Sequence, residues 1–239
     1  MHARRTSSQA RVALALLLRR VEYGESDLVV TLLTDSVGRV SALARGARKS
    51  VKRFGGVLEP MHTLQVAYDD RSGAELVVLR EAKLSRARPF LVTSLERMQA
   101  AGQALNWVRK AAPPRTPEPE VWAAMQALLD QLDDPKDEVL PRTRLAASGL
   151  RLLSAFGWGI DFERCVACGK LANPGQAAAV DAARGGLVCS NCGGALRRVS
   201  GAERARFHAA ASGGVLDDDS AALALELVDQ ALKAHGGIE

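Results

Sequence analysis

The run Leu28-Val29-Val30-Thr31-Leu32-Leu33-Thr34-Asp35-Ser36-Val37-Gly38-Arg39-Val40-Ser41-Ala42-Leu43-Ala44 decides how the first third of this chain folds. Leu28, Val30 and Leu32 share one face, and Val40, Ala42 and Ala44 share the next, the period-two alternation of half-buried strands. Asp35-Ser36-Val37-Gly38 is a turn-forming link of the length that joins antiparallel neighbours, so the run predicts a hairpin. Upstream, Val12, Leu14, Leu16 and Leu18 predict a strand with those four residues on its core face. Downstream, Leu64, Val66 and Tyr68, a turn at Asp69-Asp70-Arg71-Ser72-Gly73 and the run Glu75 to Leu79 predict a second hairpin. Five strands with a glycine-containing basic loop between the third and fourth fit a small closed or partly open barrel of the OB type. The alternation alone also admits a half-open sandwich.

Past Pro89 the period becomes helical. Thr93 and Glu96 have capping-box spacing ahead of Leu95, Met98, Leu105 and Val108. Pro113-Pro114-Arg115-Thr116-Pro117 breaks that helix. Val121, Trp122, Met125, Leu128, Leu129 and Leu132 mark a second helix, and a third runs from near Pro141 through Leu145, Leu152 and Phe156 to Gly157-Trp158-Gly159. Two more helices follow a cysteine-containing segment. The last starts after Asp217-Asp218-Asp219, acids suited to a helix N-terminus, and ends at Gly236-Gly237. The expected class is α+β: a flexible tail over 1–10, an OB-fold barrel over 11–86, and a helical domain over 87–239 with a metal module inserted at 160–198.

With 239 residues, 47% of them apolar, the chain can bury a sizeable core, which excludes a disordered or fibrous protein. Its apolar stretches are far shorter than the roughly 20 residues of a membrane span. Together with the absence of an export signal, this predicts a soluble, cytoplasmic protein without membrane contact. The net charge of +5 is unevenly spread: residues 1–90 carry 16 Lys/Arg against 9 Asp/Glu, the remainder 16 against 18. A basic amino-terminal unit favours a polyanionic partner. Aromatics make up only 4%, which limits base stacking.

The sharpest motif is Cys165-Val166-Ala167-Cys168 followed by Cys189-Ser190-Asn191-Cys192. Two Cys-x-x-Cys knuckles can bring four thiolates onto one tetrahedral Zn²⁺. Gly169 and Gly193-Gly194 stand where the backbone must turn around the metal. Paired knuckles in a reducing compartment argue against disulfides. With four protein ligands the zinc has no open position for substrate, so the site is expected to be structural.

The second motif is the acid-free segment from Gly38 to Leu58, which holds Arg39, Arg45, Arg48, Lys49, Lys52 and Arg53. A basic loop on a barrel rim can follow phosphates. A merely solvated basic face is an equal alternative for the segment judged alone. Phe54 is the best stacking candidate, with packing of the loop onto the barrel as its competing role. Glu25 and Asp27, in Tyr23-Gly24-Glu25-Ser26-Asp27, read as a hydrogen-bonded turn and not as paired catalytic carboxylates. No phosphate-loop signature occurs, and His2, His62, His208 and His235 form no catalytic constellation, so no enzyme is expected.

The ordered set Val21-Glu22-Tyr23-Gly24-Glu25-Ser26-Asp27, Thr31-Leu32-Leu33-Thr34, Gly38-Arg39-Val40 and Arg45-Gly46-Ala47-Arg48-Lys49-Ser50 resembles the start of the RecO family of bacterial recombination mediators. The later cysteine knuckles resemble that family's zinc-bearing branch. The resemblance implies ATP-independent binding of single- and double-stranded DNA and annealing of complementary strands. It further implies contact with single-stranded DNA-binding protein and, with RecR, help in loading RecA, all at the nucleoid. It implies DNA contact at Arg39, Arg45, Arg48, Lys49, Lys52 and Arg53 and one zinc on Cys165, Cys168, Cys189 and Cys192. The competing reading is a zinc-ribbon RNA-binding or transcription-associated protein.

Overall fold

The computed structural model describes residues 8–71 and 74–237. Five strands, β1 (Ser8–Tyr23), β2 (Asp27–Thr34), β3 (Gly38–Ala44), β4 (Thr63–Arg71) and β5 (Leu76–Arg86), close into a barrel in the order β1-β2-β3-β5-β4. Every neighbouring pair is antiparallel except the closing seam, where β3 and β5 run parallel from Ser41–Leu76 to Leu43–Val78. β1 reaches both neighbours because it is 16 residues long and its register shifts between Leu17 and Arg19, the bulge that bends a strand round a barrel corner. Closure removes the unpaired edges that an open sandwich would leave.

The interior is filled as expected by Leu28, Val30 and Leu32, by Val40, Ala42 and Ala44, and by Leu64, Val66 and Tyr68. On β1 the expected face is wrong. Ala13, Ala15 and Leu17 point into the barrel, Val12 and Leu14 are exposed, and Leu16 and Leu18 belong to the core of the helical region. Small alanines inside β1 and β3 leave room for Tyr68 and Phe54, and on the outer face Leu16 and Leu18 have helices to cover them.

Two further boundaries move. Ser8, Gln9 and Ala10 of the expected tail pair with Arg71, Asp70 and Asp69, so the anticipated turn at Asp69-Asp70-Arg71 is strand. Residues 1–7 of that tail, with His2, and Ser72-Gly73 of that turn lie outside the described residues.

The helical region comprises α1 (Leu95–Ala111), α2 (Pro119–Asp133), α3 (Pro141–Ala155), α4 (Gly201–Ala211) and α5 (Asp218–Gly236). Proline occupies the first turn of α2 and α3, where its missing N–H costs nothing. The cap of α1 is Ser94, whose Oγ accepts from Arg97 N, and not Thr93. The Thr93 hydroxyl instead donates to Phe90 O, closing a short 3-10 turn. Glu203 completes a capping box with Ser200 on α4, and Asp217 caps α5 through Ser220 N. Gly237, at φ 59°, ends α5.

Between α3 and α4 the cysteine segment forms a four-stranded sheet that its sequence did not announce. Its strands are β6 (Asp161–Cys165), β7 (Ala178–Asp181), β8 (Gly186–Leu187) and β9 (Arg197–Val199), in the order β6-β8-β7-β9. Phe162, Val180, Leu187 and Val199 share one apolar core with α3, α4 and α5. The buried Arg204 of α4 pins the insertion, donating from Nε to Phe162 O (2.8 Å) and from Nη1 to Gln176 O (2.8 Å).

Barrel and helices are stitched together along one side. At Gly38 (φ 78°) a Cβ would lie 1.7 Å from the carbonyl oxygen of Thr116, so only glycine lets the α1–α2 connector lie across the β2–β3 turn. Arg88, fully buried where the chain leaves β5, donates to Asp130 Oδ1, Gln126 Oε1, Thr63 Oγ1 and Met61 O. Burial pulls its pKa down, and Asp130 opposes that shift.

Candidate nucleic-acid interface and metal centre

The β3–β4 loop leaves the barrel at Arg45 and is held from both sides. Asp27 Oδ1 accepts from Gly46 N (2.7 Å) and Arg48 N donates to Ser26 O (3.0 Å), so the Tyr23–Asp27 turn forms a buttress for the loop. Farther along, Ala82 N donates to Arg53 O (3.0 Å), tying the loop to β5.

This anchoring sorts the six expected cations. Arg45, Arg48, Lys49, Lys52 and Arg53 are exposed on the loop. Arg53 is partly engaged in holding it, with Nη2 donating to Arg45 O (2.6 Å) and Nε to Ser50 Oγ (3.4 Å). Arg39 stands apart from these five. It is half-buried, its Nε donates to Ala112 O (2.7 Å) and its carbonyl accepts from Arg115 N (2.8 Å), so it fastens the α1–α2 connector to β3.

Phe54 takes its competing role, packing the loop onto the barrel. Its ring is 2% exposed within the barrel core, with the Arg53 guanidinium 5.2 Å from its centroid. An apolar ring at the loop's base gains more by leaving water than by waiting for a base. Tyr23, on the buttressing turn, is 60% exposed and is the open aromatic at this end of the barrel.

OB barrels use the outer face of their second and third strands and the adjoining loops for oligonucleotides. Here the far end of that face is covered, since Leu33 packs into the helical core and Arg39 holds the connector. Val29, Thr31, Ser41 and Leu43, nearer the basic loop, remain half-exposed. A cleft of about 530 Å³ opens between that loop and the end of β1.

The four cysteine sulfurs lie within 4.8 Å of one another, the one group of metal-ligand side chains that converges in this way among the described residues. Cys168 Sγ and Cys189 Sγ are 3.8 Å apart. That matches the edge of a tetrahedron with metal–sulfur bonds of about 2.3 Å. Gly169 (φ 72°), Gly193 (φ 98°) and Gly194 (φ 65°) take the left-handed turns expected after each knuckle. Cys165 closes β6 and is buried, and Cys189 N donates to its sulfur (3.4 Å).

N–H groups of Cys189, Ala167 and Cys168 draw the Cys165 thiol down to about 6, while the neighbouring sulfurs of Cys189 and Cys168 push Cys192 up to about 12. A set that resists full ionisation on its own is one a divalent cation can complete. The four residues could hold a metal ion.

The described histidines lie apart from one another in surface or packing positions. His62 Nδ1 accepts from Arg88 N (3.0 Å), His235 stacks on Trp158, and His208 lies exposed on α4. No helix among the described residues is long and apolar enough to cross a membrane.

The family model for the recombination protein O N-terminal region matches residues 12–88, and that for the recombination protein O C-terminal region matches residues 92–238. The chain belongs to the RecO family. Relatives named "DNA repair protein RecO" agree with this. The Anaeromyxobacter sp. (strain K) protein is 38% identical over 179 residues, covering 74% of this chain and 68% of the relative. The Geobacter metallireducens protein is 33% identical over 179 residues, covering 75% and 71%. That of Myxococcus xanthus is 37% identical with the same coverage. The RecO amino-terminal model ends at the buried Arg88, so barrel and helical region meet where the two family models meet.

Proposed function

We propose that this chain is a non-enzymatic DNA repair protein that binds single- and double-stranded DNA without nucleotide and anneals complementary strands. With RecR it helps RecA load onto single-stranded DNA coated by single-stranded DNA-binding protein, at the nucleoid in the cytoplasm. The observation that carries this reading is the anchored, exposed loop bearing Arg45, Arg48, Lys49 and Lys52 on a barrel of the RecO family. Such cations neutralise phosphates and release counterions, a contact indifferent to sequence. The exposure of Tyr23, against the burial of Phe54, supports Tyr23 as the stacking side chain in this reading.

The cysteine site holds one structural zinc in this reading, because soft thiolates in a four-ligand set suit that ion. The metal would order the turns that carry Cys165 and Cys189 against α4 and leave no coordination position for substrate.

Replacing Arg45, Arg48 and Lys49 together with alanine is expected to weaken binding of a labelled oligonucleotide by roughly ten- to a hundredfold near 0.1 M salt. The log–log salt slope should fall by about 2, from a contribution of about 0.7 per cation on single strands. Fluorescence anisotropy across a salt series measures both. An unchanged affinity removes the loop from the interface, and preference for a matched RNA competitor would favour an RNA-binding role. Annealing of oligonucleotides precoated with single-stranded DNA-binding protein, without ATP, tests the mediator activity itself.

A further inference from the structure

Two acidic side chains stand inside the cleft beside the basic loop, one on Arg48 of the proposed DNA interface and one on Arg20, a further cation lining the same cleft. Glu22, near the end of β1, places Oε2 3.2 Å from Arg48 Nη1. Glu59, toward the end of the β3–β4 loop, bonds Arg20 Nη1, which also donates to Leu58 O (3.1 Å). All four residues line the same cleft of about 530 Å³, together with Lys49, which enters no ion pair among the described residues.

Both pairs are open to solvent, with side chains 42–70% exposed, so neither is a strong structural element. A phosphate approaching Arg48 or Arg20 must displace a carboxylate already there and tolerate its negative charge a few ångströms away. We propose that Glu22 and Glu59 are affinity-setting residues, intramolecular competitors that occupy two of the cleft's cations until nucleic-acid phosphates exchange with them. This rests on the reading of the cleft as a DNA interface and deepens it. Lys49 gives first contact, and Arg48 and Arg20 are recruited by exchange. A grip that can be exchanged stepwise suits a protein that must give up its strand once that strand is paired.

Titration of a labelled oligothymidylate against the full-length protein tests this. Glu22→Gln keeps the shape and hydrogen-bonding reach of the side chain and removes only the charge. It is expected to tighten binding about threefold to tenfold at low salt and to steepen the log–log salt slope by up to about 0.7, the value of one newly engaged cation. Glu22→Gln/Glu59→Gln together should gain more.

The control is Glu81→Gln, which changes net charge equally but removes a carboxylate paired with Lys83 (3.3 Å) outside the cleft. An equal gain from Glu81→Gln would show a general charge effect and overturn the proposal. So would unchanged or weaker binding by Glu22→Gln with an unaltered thermal melt. If the unsubstituted protein binds no oligonucleotide, the DNA interface itself falls, and the wild-type titration shows that before any variant is compared.

Discussion

Arg88→Ala is expected to destabilise the folded chain by about 3–5 kcal/mol, the cost of stripping one partner from a buried, hydrogen-bonded ion pair. The guanidinium is 0% exposed and its donors serve a carboxylate, a side-chain amide, a hydroxyl and a carbonyl drawn from α2, β4 and the end of the β3–β4 loop. Alanine leaves Met61 O without that donor, leaves Gln126 Oε1 with only its bond from Thr63 Oγ1 (3.0 Å) and Asp130 with only Arg86, and opens a cavity where barrel and helices join. For a chain of this size the melting temperature should fall by roughly 6–20 °C. Differential scanning calorimetry reads the shift. Arg88→Met combined with Asp130→Leu should recover part of it, because removing both charges avoids a lone buried ion, although Arg86 then loses its partner on Asp130 (2.8 Å). A loss under 1 kcal/mol for Arg88→Ala would mean that the junction is held by apolar contact alone.

The second large effect is expected at the metal centre. Cys165→Ser should abolish retention of metal through gel filtration, whereas the unsubstituted protein is expected to carry one ion per chain by elemental analysis. Cys165 is the buried ligand and ends β6, so its loss affects the sheet as well as the site. Phe162, Val180, Leu187 and Val199 lie in the core shared with the helices, so the damage should spread to α4 and α5 while the barrel, with its separate core, keeps its own hydrogen-exchange protection.

Protons should compete with the metal in a defined direction. Cys192, pushed up to about 12, must lose a proton on binding at neutral pH, so on its account affinity falls about tenfold for each unit by which the pH is lowered. Cys165, drawn down to about 6, adds to that slope only below about pH 6. A metal content indifferent to both the substitution and acid would contradict the four-sulfur site.

The acid-free segment from Gly38 to Leu58 and the cysteine knuckles were legible because their chemistry is local in sequence: six cations without an acid, and four thiols at knuckle spacing. Most of the barrel was legible for a similar reason, since Leu28 to Ala44 and Leu64 to Tyr68 alternate with the strand period and their turns are short. β1 misled because its inner face fills the barrel with small residues, while its outer face carries the larger side chains, covered by helices at Leu16 and Leu18 and open to solvent at Val12 and Leu14. Periodicity reports that a residue is buried, not by what, and the larger side chains lay on the outer face.

Phe54 and Arg39 were ambiguous for a related reason. A ring or a guanidinium in a loop can meet solvent, core or a distant backbone carbonyl, and the carbonyl that takes Arg39 lies 73 residues away. Arg88 gave no signal, because an arginine beside a proline looks like surface until α2 brings Asp130 and Gln126 to it. The sequence by itself determined the five strands, the hairpins, the helix positions and the four-sulfur set, all of which depend on neighbours close along the chain. Tertiary structure alone decided which cations stay free for a ligand and which are consumed in joining barrel to helices, because that division depends on groups far apart in sequence that only the closed fold makes adjacent.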